Sequence, residues 1–180
     1  MIIQIRGTSG SGKTTVVKQV MNYLGGWDYY YIAGRKKPLY YYHRDVTILG
    51  HYESPCGGCD TIGSARAIYN LIQCLPDTRS KIVLCEGLLL SEDVKWSLQL
   101  PDLRAVFLTT PLETCLAQIQ SRRQSRGNAK PLNPANTTNR VKVIERARTR
   151  LAANGVPYRC CTVDQATAHI IRWIGDSYRD

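Results

Sequence analysis

Ile2-Ile3-Gln4-Ile5-Arg6-Gly7-Thr8-Ser9-Gly10-Ser11-Gly12-Lys13-Thr14 decides how the rest of the chain is read. Its second part is G-x-x-x-x-G-K-T, the pattern of a phosphate-binding loop, placed directly after the apolar run Ile2 to Ile5. A strand, this turn and then a helix over Thr15 to Leu24 make the context in which the pattern has physical meaning. The turn points backbone N–H groups at a polyphosphate, the lysine reaches the β- and γ-phosphates, and the threonine hydroxyl holds Mg²⁺. Gly7, Thr8, Ser9, Gly10, Ser11, Gly12, Lys13, Thr14 and Thr15 are therefore the candidate nucleotide-binding residues, with ATP and Mg²⁺ the implied ligands.

Outward from the loop, strands alternate with helices. Gly25-Gly26 ends the first helix, and Trp27 to Ala33 is expected as a strand from its aromatic and β-branched content. Gly34 to Pro38 turns the chain, and Leu39 to His43 with Val46 to Tyr52 suggests a hairpin about Arg44-Asp45. Glu53 to Asp60, with Pro55 and Gly57-Gly58, reads as a loop. A helix starting at Thr61 or Ser64 then presents Ile62, Ala65, Ile68, Tyr69 and Ile72 on one face, and Pro76-Asp77 stops it after about Leu75. Lys81 to Leu90 contains Ile82-Val83-Leu84-Cys85, a continuous apolar run expected of a strand covered on both faces, with Glu86-Gly87 at its carboxyl end.

Leu103 to Leu108 is the next strand, and Pro111 opens a helix to about Arg123. A polar segment over Gly127 to Asn139 leads to a helix over Arg140 to Ala153, a strand over Tyr158 to Val163 and a closing helix over Ala166 to Ile174. This order predicts one α/β domain over residues 1–180, a three-layer sandwich with a mostly parallel central sheet and a small hairpin insertion.

Composition narrows the class. The 180 residues suit a single domain. No apolar run approaches the roughly 18 residues of a membrane span, and Arg6 interrupts the apolar start, so a soluble cytoplasmic protein with no membrane partner is expected. Seven cysteines without a secretory signal argue against a disulfide framework, and Cys74, Cys85 and Cys115 read as small core residues. Cys56 and Cys59, with His43 and His51, offer four metal-ligand types, but one C-x-x-C pair is half a zinc signature and a reduced-thiol loop is preferred. Net charge is +10, and residues 121–150 carry nine Lys/Arg against Glu145 alone. So concentrated a charge suits a polyanion larger than a nucleotide, which points to nucleic acid, although a solvated basic face would look the same.

Ligands of such sheets sit at the carboxyl ends of the strands. Glu86 occupies that position as a second Mg²⁺-holding group beside Thr14, or as the acceptor of a hydroxyl proton. Asp60 either caps the helix that follows it or serves as a general base, with Gly57-Gly58 letting substrate approach closely. Asp45 is assigned to turn chemistry. Arg122, Arg123 and Arg126, in a basic lid-like segment at about 120–140, are placed to carry charge onto a transferring phosphate. Lys13, Asp60, Glu86, Arg122 and Arg126 form the candidate catalytic set. His51, Tyr52 and Tyr42 are candidates to line an acceptor pocket, against the plainer reading that strand propensity explains the tyrosines.

The loop, its helix, the Glu86-Gly87 strand end and the arginine-bearing helix together resemble the thymidylate-kinase-like branch of P-loop kinases. The stretches Ile48-Leu49-Gly50-His51-Tyr52 and Cys56-Gly57-Gly58-Cys59-Asp60-Thr61-Ile62 more narrowly resemble bacteriophage 5-hydroxymethyluracil DNA kinases. That resemblance implies transfer of the γ-phosphate of ATP to the 5-hydroxymethyl group of 5-hydroxymethyluracil in DNA, a step in thymidine hypermodification within the host cytoplasm. Glu86-Gly87 stands where thymidylate kinases carry Asp-Arg, which argues against a free nucleoside monophosphate as acceptor. The residues alone also admit a small-molecule kinase and a nucleotide-gated nucleic-acid-binding module.

Overall fold

The computed structural model describes residues 1–54, 57–75, 80–128 and 132–178. Its centre is β1 (Ile2–Arg6), buried along its whole length. Parallel neighbours lie on both sides of it, β5 (Ile82–Glu86) and β6 (Leu103–Leu108). β4 (Val46–Leu49) extends the sheet beyond β5, and β7 (Tyr158–Cys161) extends it beyond β6, both in parallel. The antiparallel pair β2 (Asp28–Tyr30) and β3 (Tyr40–His43) completes the order β2-β3-β4-β5-β1-β6-β7 among the described residues. The hairpin expected about Arg44-Asp45 is the antiparallel pair β3–β4, and through β4 it continues the main sheet at its edge and does not stand apart from it.

Alternation along the central strands builds two cores. Ile3, Ile5, Ile48, Leu84 and Val106 face α1 (Lys13–Leu24) and α6 (Val163–Asp176), meeting Val16, Val20, Ile170 and Ile174. Ile2, Leu49, Val83 and Cys85 face α2 (Ala65–Cys74) and α3 (Leu88–Glu92), meeting Ile68, Tyr69, Ile72 and Leu90. α5 (Pro134–Ala153) covers Ala105 and Phe107 through Ile144, Ala147 and Leu151. α4 (Leu112–Gln124) is largely polar, with Cys115 buried at its start. The three-layer α/β arrangement read from the sequence is present.

Several boundaries differ from the sequence reading. β2 ends at Tyr30, because its one partner, β3, begins at Tyr40 and a strand needs a ladder to continue; Tyr31 to Ala33 lie exposed outside the sheet. β4 ends at Leu49, where Gly50 turns the chain at φ 99°. α5 starts six residues before the expected Arg140. Pro134 stands at its first turn and the Asn133 side chain accepts from the Ala135 N–H, so capping and packing override the weak helix propensity of the Asn/Thr-rich stretch. α6 likewise begins at Val163, earlier than Ala166, behind a capping box of Thr162 and Gln165. Cys74 is exposed, contrary to the core assignment, while Cys85 and Cys115 are buried. Pro76-Asp77 lies outside the described residues. Among those described, no helix is long and apolar enough to cross a membrane.

The last residue of β1 departs furthest from ordinary core composition. Arg6 is fully buried, and its guanidinium donates to Gln4 Oε1, Ser97 Oγ and the carbonyls of Ser91 and Asp93. Burial lowers its pKa, against the nearby Tyr69 and Asp93, whose carboxylate accepts from Tyr69 and Ser97. Ser91 carries the network to the loop, accepting the Gly7 N–H at 3.1 Å and donating to the Gly87 carbonyl at 2.6 Å. Arg6→Met would take the guanidinium away from the Ser91 and Asp93 carbonyls and weaken the network around Gln4 and Ser97, and a loss of about 3 kcal/mol is expected from the chemical-denaturation midpoint.

Candidate active site

The loop after β1 opens at the carboxyl edge of the sheet, where the connections from β1 and β5 run toward opposite edges. A cavity of about 270 Å³ lies there, lined by residues 9–15 and by Gly57, Asp60, Glu86, Leu88, Gln118 and Arg122. Gly10 and Gly12 adopt φ 78° and 94°, and a Cβ at either would collide, with the Cys115 carbonyl and with Val163 Cγ2 respectively. Thr110 Oγ1 donates to the Ser11 carbonyl at 2.7 Å and ties the loop to the end of β6.

This cradle suits a polyphosphate. No side chain caps the N-terminus of α1 at Gly12, so the first-turn amides of a 12-residue helix have no capping acceptor. Among the described residues, Thr8 Oγ1 and Ser11 Oγ are buried without a hydrogen-bond partner. Gly7 and Thr8 form the base of the loop and do not line the cavity; their carbonyls accept from Lys13 Nζ at 2.8 and 2.9 Å. Lys13 is buried, which lowers its pKa, with Glu86 the largest opposing influence.

Glu86 ends β5 inside the protein, 2% exposed, and Thr14 Oγ1 donates to its Oε1 at 2.8 Å. Burial raises its pKa, against Lys13 and the Thr14 hydrogen bond. The two residues expected to share a metal ion are thus in contact. Backbone close to this carboxylate explains the double glycine differently from the sequence reading. Gly58, at φ 79°, packs on Glu86 so closely that a Cβ would fall 2.5 Å from Oε1, and a Cβ at Gly57 would strike the His51 carbonyl. The glycines therefore let protein approach protein, although Gly57 also lines the cavity.

Asp60 lies in the cavity wall but does not cap the helix that follows. Ser64 caps α2, through the Ala67 N–H, whereas the Asp60 carboxylate accepts from the N–H groups of Leu88 and Leu89 at 2.7 and 3.1 Å, tethering the start of α3. Arg122 reaches the cavity from α4 and also lines an adjoining cleft of about 410 Å³ with Ser9, Arg123 and Arg126. Arg126 lies on the cleft alone. Asp45 is at the opposite end of β4, paired with Lys81 at 3.2 Å, consistent with turn chemistry. His51, Tyr52 and Tyr42 do not line this cavity. His43 Nδ1 meets the Gly26 carbonyl at 2.8 Å, Cys59 Sγ the Leu49 carbonyl at 3.6 Å, and Cys56 lies outside the described residues.

Sequence reasoning missed Gln118, Leu88 and Ser91. Gln118 had a signal, since it precedes Arg122 by four residues on one helix and so shares its face. Leu88 and Ser91 had none. A stability measurement tests the electrostatics. An unfolded glutamate titrates at about 4.3, and the raised value in the folded state means that the unfolded chain ionises first as pH increases. Folding should therefore weaken from that pH up to the folded-state pKa and level off above it. Glu86→Gln should lack this loss, so its melting temperature relative to the parent should climb across that window.

Comparisons with known proteins bear on the family of the chain. The chain is 40% identical over 167 residues to a protein of Pseudomonas phage PaMx11 named 5-hmdU DNA kinase, covering 87% of each chain. It is 29% identical over 178 residues to a protein of Pseudomonas phage M6 with the same name, covering 87% of this chain and 88% of the other. The crystal structure of an uncharacterized protein from Eubacterium ventriosum ATCC 27560 aligns over 98% of both chains, at 17% identity and a TM-score of 0.44. No protein-family model matches the chain. On the similarity to the PaMx11 protein over most of both lengths, the chain belongs to the family of 5-hmdU DNA kinases.

Proposed function

We propose that the chain is a Mg²⁺-dependent kinase that transfers the γ-phosphate of ATP to the 5-hydroxymethyl group of 5-hydroxymethyluracil in DNA. It does so on a P-loop nucleoside/nucleotide-kinase-like fold that forms one domain over residues 1–180. The observation that carries this reading is the Thr14–Glu86 contact beside buried Lys13 at the uncapped start of α1, in a member of a family named for a DNA kinase activity.

ATP supplies the phosphoryl group, and Mg²⁺ neutralises the charge that develops as it moves. The amides of residues 9–15 and Lys13 would hold the polyphosphate, and Thr14 and Glu86 would hold the metal. In the transfer, the acceptor oxygen bonds to the γ-phosphorus, the bond from that phosphorus to the β,γ-bridging oxygen breaks, and ADP leaves. The hydroxyl proton passes to Asp60, whose carboxylate is fixed by two backbone amides in the cavity wall, while Glu86 is turned toward Thr14. Arg122 adds positive charge at the cavity, and the segment around residues 120–140 acts as a basic lid, with Arg126 on the neighbouring cleft.

The acceptor strand lies along basic side chains of α5. Lys142, Arg146 and Arg150 recur every four residues, share one helix face and are exposed. Phosphate contacts of this kind release counterions, so DNA affinity should fall steeply with salt.

Label from γ-labelled ATP should appear in 5-hydroxymethyluracil DNA but not in the same DNA carrying thymine, and Lys13→Ala should reduce transfer by at least about 100-fold. Equal or better transfer to the free nucleoside would overturn the DNA assignment. In a separate measurement, the double variant Arg146→Glu/Arg150→Glu should raise KM for DNA severalfold and flatten its salt dependence, with KM for ATP unchanged.

A further inference from the structure

A second cavity, of about 530 Å³, opens between α1 and the β2–β3 edge of the sheet. Its volume falls in the range of small-ligand sites. Trp27, Tyr29, Tyr41 and Tyr52 supply its aromatic surface, and Lys18, Asn22 and Glu53 its polar atoms. The rings are set in place by the fold. Trp27 Nε1 donates to the Met21 carbonyl at 2.8 Å, Tyr41 Oη accepts the Tyr52 N–H at 2.9 Å, and Tyr29 stands edge-on to Tyr41 with centroids 5.2 Å apart. Tyr29 is nonetheless 54% exposed, on an edge strand with no core to fill.

The position relative to the catalytic cavity limits what the groove can hold. Lys18 lies five residues along α1 from Lys13, about 7.5 Å of helical rise, and Met21 about 12 Å. Tyr52 and Glu53 line the groove while Gly57 lines the catalytic cavity, so one short stretch of chain contributes to both. That separation is too long for the base whose C5 substituent must reach the phosphorus, and suits its neighbour on the same strand. The chemistry agrees: flat aromatic faces stack on any base, an amide and a carboxylate meet base-edge donors and acceptors, and a lysine meets the phosphodiester.

We infer that this groove binds an unstacked nucleobase flanking the modified one, which rests on the DNA-acceptor reading above and assigns the groove a role in holding the strand open. The test uses the full chain and a single-stranded oligonucleotide carrying one 5-hydroxymethyluracil, with 2-aminopurine placed in turn at each flanking position. Binding should quench 2-aminopurine at one flank through stacking. Tyr29→Ala should abolish that quenching and weaken binding about tenfold, with turnover at saturating DNA unchanged. Tyr29→Phe, which keeps the ring, should restore both. Equal quenching and affinity in the parent and in Tyr29→Ala would overturn the inference. Loss of phosphate transfer in the parent, with Tyr29-dependent quenching intact, would instead overturn the kinase reading and support the groove.

Discussion

The hydrogen bond from Thr14 to Glu86 joins two parts of the chain that are 72 residues apart, the first turn of α1 and the end of β5. It requires a carboxylate where solvent is excluded, and such a group is costly to bury unless charge and hydrogen bonds meet it. Much of the surrounding structure meets that requirement. Lys13 is the largest favourable influence on the Glu86 charge, Thr14 donates to it, and backbone at Gly58 closes over it at a distance no side chain would permit.

The same constraint extends downward through β1. Gly7 begins the loop directly after Arg6, and Ser91 ties Gly7 to Gly87 while the Arg6 guanidinium holds the Ser91 and Asp93 carbonyls. Asp60 fixes the start of α3 from the other side. The loop, the end of β5 and α3 therefore form one hydrogen-bonded unit beneath the cavity. Burial works against the charged forms of Arg6, Lys13 and Glu86 alike, and the charges and hydrogen bonds around each oppose it.

Legibility in the sequence followed the range of the interaction. β1, the loop and α1 are contiguous and show a local pattern, and Ile82 to Cys85 is apolar without interruption because both faces of β5 are covered. The capping box Thr162-x-x-Gln165 is equally local and starts α6 three residues before the expected Ala166. The start of α5 was obscured by Asn and Thr, whose low helix propensity is overridden by Pro134 and the Asn133 cap. Which helix Asp60 touches was not legible, since its partners lie 28 and 29 residues further on.

Local pattern alone states the class of chemistry: a strand, a glycine-rich turn and a Lys-Thr pair at the head of a helix, an acid at the end of an apolar strand, and a basic stretch after residue 120. Each depends on neighbours within a few positions, and spacing along the chain suffices to state it. Tertiary folding alone establishes that Glu86 touches Thr14, that a side chain at Gly58 would strike Glu86, that Asp60 braces α3, and that four aromatic residues from three segments share one groove. Those relations arise when β-sheet register and helix packing bring distant segments within hydrogen-bonding distance, and no local pattern encodes that geometry.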